Sequence, residues 1–205
     1  MSDLQNAWKN EKVFQKQLEY NLKEISQRWT WPAHWNSCVK LVNHFQPKTV
    51  LDIGCGSGVM SEVFRRELPD VEYTGVDYCK EAIDIAKNTW PTQNFYVKDV
   101  MEMTSEDFNY DLVFAGALFD VIPNGDDAIK HVMERCSGSI LISRMRTTER
   151  NSFYETYTAY DEIETCAYYH NKDNFIEMCE DYGYNAYCIQ NRYDCEFYLV
   201  KKGDT

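Results

Sequence analysis

The stretch Val50-Leu51-Asp52-Ile53-Gly54-Cys55-Gly56-Ser57-Gly58 reads as a buried strand that runs into glycines at alternate positions and then into a helix. Glycine is needed where the backbone turns with positive φ, or where a ligand lies against bare main chain. The acid two positions before the first glycine separates this loop from a phosphate loop, which wants a Lys. A G-x-G-x-x-G dinucleotide loop places its third glycine one residue further on.

Outward from this loop, strands and helices alternate. Residues 59–68 read as a helix, 72–76 as a strand, 80–89 as a helix and 95–97 as a short strand. Residues 111–115 read as a strand, 126–136 as a helix and 139–143 as a strand. A helix over 172–182 stops at Gly183, a usual C-terminal signal. Strands at 186–190 and 196–200, joined by a polar turn at 191–194, suggest a hairpin. The alternation predicts an α/β fold: a doubly wound, mostly parallel seven-stranded sheet with helices on both faces and an antiparallel C-terminal hairpin. Ligands in such sheets bind at the carboxyl ends of the strands, where strand order reverses.

Upstream, the helix expected over residues 3–27 is read from Leu4, Trp8, Phe14, Leu18, Leu22 and Ile25, with Trp29 just beyond, at three- to four-residue steps apart from one gap. That is the pattern of an amphipathic helix. Pro32 punctuates the aromatic segment from Trp29 to Trp35, and a second helix follows over 35–45. The expected organisation is a helical segment or lid over 1–47 and a sheet domain over 48–205, with a substrate-side insertion at 144–170.

Composition is that of an ordinary globular chain, 205 residues with 44% hydrophobic and 26% charged. No apolar run approaches the roughly 18 residues of a membrane span, and the polar N-terminus lacks a secretory signal. A cytoplasmic protein with no membrane contact is expected. The eight cysteines include no C-x-x-C, and no His pair sits at zinc-ligand spacing, so reduced thiols and no metal are expected. Residues 1–47 hold six Lys/Arg against four Asp/Glu, and the remainder fifteen against twenty-nine. A body this acidic repels a phosphate backbone and argues against nucleic acid as a partner.

Further acids fall at the ends of predicted strands. Asp77 lies nineteen residues after Gly58, where a carboxylate accepts both ribose hydroxyls of a nucleoside lying over the glycine loop. Dinucleotide folds use the same device, so Asp77 alone does not choose between cofactors. Tyr78 is placed to pack on an adenine face. Asp99 ends the third strand, suited to an exocyclic amine, with Val100 and Met101 beside the ring. Small residues such as Ala115, near the end of the fourth strand, let a ligand approach.

In order, spacing and chemistry, residues 48–200 resemble class I S-adenosylmethionine (SAM)-dependent methyltransferases of the small-molecule type. The resemblance implies a cofactor site of Asp52, Gly54, Cys55, Gly56, Gly58, Asp77, Tyr78, Asp99, Val100, Met101 and Ala115. In it the glycine loop holds the methionine part, Asp77 the ribose and Asp99 the adenine edge. It implies SAM as cofactor, S-adenosylhomocysteine (SAH) as product, and a small-molecule acceptor with an O, N or C nucleophile. A protein or RNA methyltransferase, or a SAM-binding module without catalysis, stands as the alternative. A monomer or homodimer is expected.

Such chemistry has no fixed catalytic triad, because the sulfonium methyl is already activated and needs chiefly alignment and exclusion of water. The catalytic candidates are therefore local readings. Asp120, after the fourth strand, can orient a nucleophile, act as base, or simply cap the turn before Pro123. His170 and His34 are candidate bases with structural alternatives. The stretch 144–170 is long for a loop without function or structure of its own. Its Arg144 and Arg146 suit a substrate carboxylate or phosphate, and Tyr154 and Tyr157 offer flat contact surfaces.

Overall fold

The computed structural model describes residues 3–190 and 195–202. From the N-terminus come α1 (Asp3–Asn6), α2 (Glu11–Ile25) and α3 (Ala33–Phe45). The alternation then runs β1 (Thr49–Ile53), α4 (Val59–Glu67), β2 (Glu72–Asp77), α5 (Lys80–Thr89), β3 (Asn94–Val97), β4 (Leu112–Gly116), α6 (Gly125–Arg135) and β5 (Ser139–Met145). An excursion follows through β6 (Thr147–Thr148), β7 (Phe153–Ala159) and β8 (Ile163–Asn171). The chain closes with α7 (Lys172–Asp181), β9 (Tyr184–Gln190) and β10 (Cys195–Lys201).

The main sheet has seven strands in the order β3-β2-β1-β4-β5-β10-β9. Strands β1 to β5 are parallel to one another, and β10 runs antiparallel to both β5 and β9. The expected fold class therefore holds. The turn expected at 191–194 lies outside the described residues.

Period-two alternation of apolar residues explains why both faces are covered. Leu51, Ile53, Val113, Ala115, Ile140, Ile142, Phe197 and Leu199 point to one face, where α6 supplies Ala128, Ile129, Val132 and Met133 and α7 supplies Phe175 and Cys179. Val50, Leu112, Phe114, Leu141, Tyr198 and Val200 point to the other, against Trp35, Cys38 and Val42 of α3, Val63 and Phe64 of α4, and Ile83 and Ala86 of α5. Each such large side chain removed from water contributes roughly 1.5–3 kcal/mol. Strand order reverses between β1 and β4, so a crevice opens above the carboxyl ends of these two strands.

One expectation needs correction. The helix expected over 3–27 is two helices, because Asn10 restarts it: its side chain accepts the Lys12 N–H at 3.1 Å as an N-cap. The buried face of α2 is Val13, Phe14 and Ile25, while Leu22 is 44% exposed and Trp29, beyond the helix, 81% exposed. The apolar stripe gave Phe14 and Ile25 correctly but missed Val13, because α2 packs between two neighbours. Val13 meets Ala159 and Ile163, and Phe14 meets Cys79 and Ala82.

The stretch 144–170, read as too long for a loop without function or structure of its own, has structure of its own. β5 extends to Met145, and β7 and β8 pair antiparallel from Phe153↔Tyr169 to Ala159↔Ile163. Alternation such as Thr156, Thr158 and Thr165, Ala167 is strand-like, but tyrosines and arginines masked it.

Candidate active site

The glycine loop follows β1 and hands over to α4, with Gly58 as N-cap at φ 80°. Gly54 and Gly56 stand at φ 71° and 53°, conformations that side chains resist. Space is as tight as the backbone is unusual. A Cβ on Gly54 would lie 2.7 Å from Leu118 Cδ1, and one on Gly56 2.5 Å from Gln17 Oε1.

All five N–H groups of the loop are engaged within the protein. Gly54 and Cys55 donate to the Val76 carbonyl at 2.8 and 3.0 Å, and Gly58 to the Cys55 carbonyl at 2.9 Å. Gly56 donates to Asp77 Oδ2 at 3.0 Å and Ser57 to Gln17 Oε1 at 2.9 Å. A phosphate nest needs such donors free, so the loop is a wall rather than an anion cradle.

Asp77 ends β2 and is buried. Its Oδ1 accepts the Cys79 N–H at 2.9 Å, so both oxygens hold backbone and keep lone pairs to spare. Burial pushes its pKa up to about 6, against the pull of these bonds. Asp52 is buried too, receives the Tyr73 hydroxyl at 2.5 Å, and is pushed by burial to about 8. Half-buried Asp99 accepts the Met101 N–H at 2.9 Å.

A cavity of about 700 Å³ runs from this loop to the segment after β4 and the hairpin β7–β8, within the usual size of ligand sites. Helix α2 roofs it: Asn21 Nδ2 donates to Ser57 Oγ at 3.1 Å, and Lys16 Nζ donates to the Tyr160 carbonyl at 2.9 Å. Ala117, Arg144 and Tyr160 line the cavity with positive φ, at 54°, 62° and 55°. Such strain in non-glycine residues concentrates at functional sites.

The far part of the cavity is charged. Asp120 is only 4% exposed; its Oδ2 lies 3.6 Å from Arg146 Nε, and its Oδ1 has no hydrogen-bond partner. Burial raises its pKa, opposed by Arg146, Arg144 and His170. The Arg146 guanidinium lies over the Tyr157 ring at 5.1 Å. His34 is lowered to about 4 by burial and by the charge of Arg144, so its ring is neutral at physiological pH.

Of the residues singled out from sequence, Asp52, Gly54, Cys55, Gly56, Asp77, Tyr78, Asp99, Val100, Asp120, His34, Arg144, Arg146 and Tyr157 line this one cavity. Five do not. Gly58 shapes the start of α4, Ala115 is enclosed in the core, and Met101 and Tyr154 face outward. His170 is wholly buried behind the cavity wall, its Nδ1 2.6 Å from Asp126 Oδ1. It is a structural histidine, since β8 packs it against α6. Sequence reading passed over Gln17, Asn21 and Glu24, which also line the cavity. Their i, i+4, i+7 spacing, a polar stripe beside Phe14, was the available signal.

Comparison with known proteins agrees with this geometry. A family described as a methyltransferase domain matches residues 26–189. The chain is 34% identical over 94 residues to trans-aconitate 2-methyltransferase of Rhodopseudomonas palustris (strain BisB18), covering 46% of this chain and 35% of that protein. It is 27% identical over 137 residues to ubiquinone biosynthesis O-methyltransferase of Coxiella burnetii (strain Dugway 5J108-111), covering 60% and 58%. The chain thus spans about a third to just over half of these relatives' length. Among solved structures, magnesium protoporphyrin IX methyltransferase from Synechocystis PCC 6803 with bound SAM aligns at a TM-score of 0.62, 14% identity, over 98% of this chain and 92% of that one. Human N-acetylserotonin methyltransferase with SAM aligns at 0.68, 15% identity, over 98% and 59%. At these identities the structural matches speak to the fold.

Proposed function

The chain belongs to the methyltransferase domain family, and from that premise we propose that it transfers a methyl group from SAM to a small-molecule acceptor by in-line displacement. One observation carries this reading. The cavity joins a glycine-rich loop, whose N–H groups are already engaged, to two strand-end carboxylates, Asp77 and Asp99. A nucleoside with an uncharged linkage fits such a wall. A pyrophosphate finds no donors in it.

In this reading Gly54 and Gly56 give the cofactor's amino-acid tail room against main chain. Asp77 accepts the ribose hydroxyls with its remaining lone pairs, Tyr78 and Val100 flank the base, and Asp99 accepts its exocyclic amine. When bound, SAM supplies a methyl group activated by its sulfonium. Gln17 and Asn21 hold α2 over the loop, and Tyr20 and Tyr160, stacked at 6.3 Å, help exclude water. Asp120 orients the acceptor and takes its proton where the nucleophile carries one. Burial makes this carboxylate a stronger base than a solvated one. His34, neutral at physiological pH, also lines the cavity.

The acceptor is a small molecule because α2 and the hairpin roof the site, and the net charge of −12 disfavours nucleic acid. The test is to incubate the protein with SAM and fractionated metabolite extract and to measure SAH release. Release in a low-mass fraction is expected, and it should fall at least a hundredfold in Asp120→Asn, as for loss of general-base catalysis, roughly 10²–10⁴. Release only with protein or RNA fractions would contradict the small-molecule reading.

A further inference from the structure

Six buried side-chain polar atoms among the described residues lack a hydrogen-bond partner. Four of them belong to residues of this one cavity: Trp8 Nε1, Asp120 Oδ1, Ser143 Oγ and Arg146 Nη1. An unpaired buried polar group is costly, and folded proteins keep few of them. Their gathering at one cavity marks atoms that a ligand pairs. The set is mixed: Asp120 Oδ1 accepts, the Trp8 and Arg146 nitrogens only donate, and Ser143 does either.

Asp120 and Arg146 are neighbours, yet they leave each other's capacity unused. Their 3.6 Å separation is an ion pair too long for a hydrogen bond. Arg146 is held by the Tyr157 ring at 5.1 Å and the Tyr169 ring at 6.0 Å, so its planar fork is preorganised. A guanidinium edge of that kind matches a carboxylate. A buried carboxylate oxygen matches a hydroxyl. An amine would suit Asp120, but it would also meet the positive charges of Arg146 and Arg144, both of which act on Asp120.

We propose that the methyl acceptor is a small hydroxylated carboxylic acid, its carboxylate seated on the Nη1 edge of Arg146 and its hydroxyl donating to Asp120 Oδ1. This rests on the methyl-transfer reading and specifies the substrate class for the same site.

The test is calorimetric titration of the full chain, first saturated with SAH, with a panel of aliphatic and aromatic hydroxy acids that includes malate and 3-hydroxybenzoate. Each is paired with the analogue lacking its hydroxyl (succinate, benzoate) and with the corresponding amide. At least one hydroxy acid should bind tenfold or more tightly than both of its analogues. Asp120→Asn should erase the preference for the hydroxyl. Arg146→Gln should erase the preference for the carboxylate, and Arg146→Lys, keeping the charge without the fork, should restore it in part. Equal binding of acid and amide, or no hydroxy acid binding the loaded protein, would overturn the proposal. Failure of SAH itself to bind would remove the methyl-transfer reading beneath it, and the proposal with it.

Discussion

The two ends of the cavity are built in different ways. The glycine-loop end is specified by main chain: positive φ at Gly54, Gly56 and Gly58, and N–H groups tied to Val76, Asp77 and Cys55. The Asp120 end is specified by side chains from segments far apart in sequence. Arg146 comes from just after β5, Tyr157 from the hairpin, and the roof from α2, whose Lys16 reaches Tyr160 across 144 positions. Main-chain specification tolerates almost no change at its few positions. Side-chain specification distributes the work, so each single residue matters less for binding and more for what is bound.

The largest effect should therefore come from the loop. Gly56→Val places a branched Cβ at φ 53°, where Gln17 Oε1 already stands 2.5 Å away. SAH affinity should fall by up to about a hundredfold, as for left-handed strain of roughly 1–3 kcal/mol and displacement of Gln17 from the loop. Isothermal titration checks it, and affinity within threefold of wild type would break the contrast.

A roof residue should matter less. Gln17→Ala removes the acceptor of the Ser57 N–H without touching the loop's own bonds. One net hydrogen bond corresponds to roughly 0.5–1.5 kcal/mol, or about a two- to twelvefold loss of SAH affinity. A loss as large as that of Gly56→Val would show that the roof and the loop are one unit.

The smallest effect should fall on the most buried acid. Burial holds Asp52 near pKa 8, so it is mainly protonated at pH 7 and receives the Tyr73 hydroxyl. Asn has the same shape and no charge. Asp52→Asn should leave both the melting temperature and SAH affinity close to wild type, whereas Asp52→Ala should lower the melting temperature by orphaning Tyr73 Oη. A large effect of Asp52→Asn would mean that the ionised form is the working one.

The same contrast explains what was legible in the sequence. The strands, the mostly parallel sheet implied by alternation, and the loop with Asp77 and Asp99 follow from local rules about glycine, apolar runs and strand ends. The roof was legible only in outline. Of the expected stripe, Phe14 and Ile25 are buried and Leu22 is exposed; α2 is wedged between α5 and the hairpin, and Val13 and Gln17, outside the stripe, face inward as well. That choice is made by partners 40 or more residues away, which no local period encodes. His170 shows the same limit. Its residue type suits catalysis, and only packing against Asp126 reveals that it stands behind the wall.

The most direct measurement is SAH titration of wild-type and Asp77→Asn protein between pH 5 and pH 8. Burial raises the Asp77 pKa to about 6, above its ordinary 3.8, so the folded apo-protein holds this proton more tightly than the unfolded chain does. The stability linked to it is therefore present at low pH and is lost as pH rises from about 4 through 6. Ribose hydroxyls donate to the ionised form, so the dependence of binding runs the opposite way. Wild-type affinity should rise as pH passes through about 6 and then level off, while Asp77→Asn binds weakly and without that step. Strong binding by Asp77→Asn, or wild-type affinity flat across this range, would contradict the assignment of the strand-end carboxylate to the cofactor.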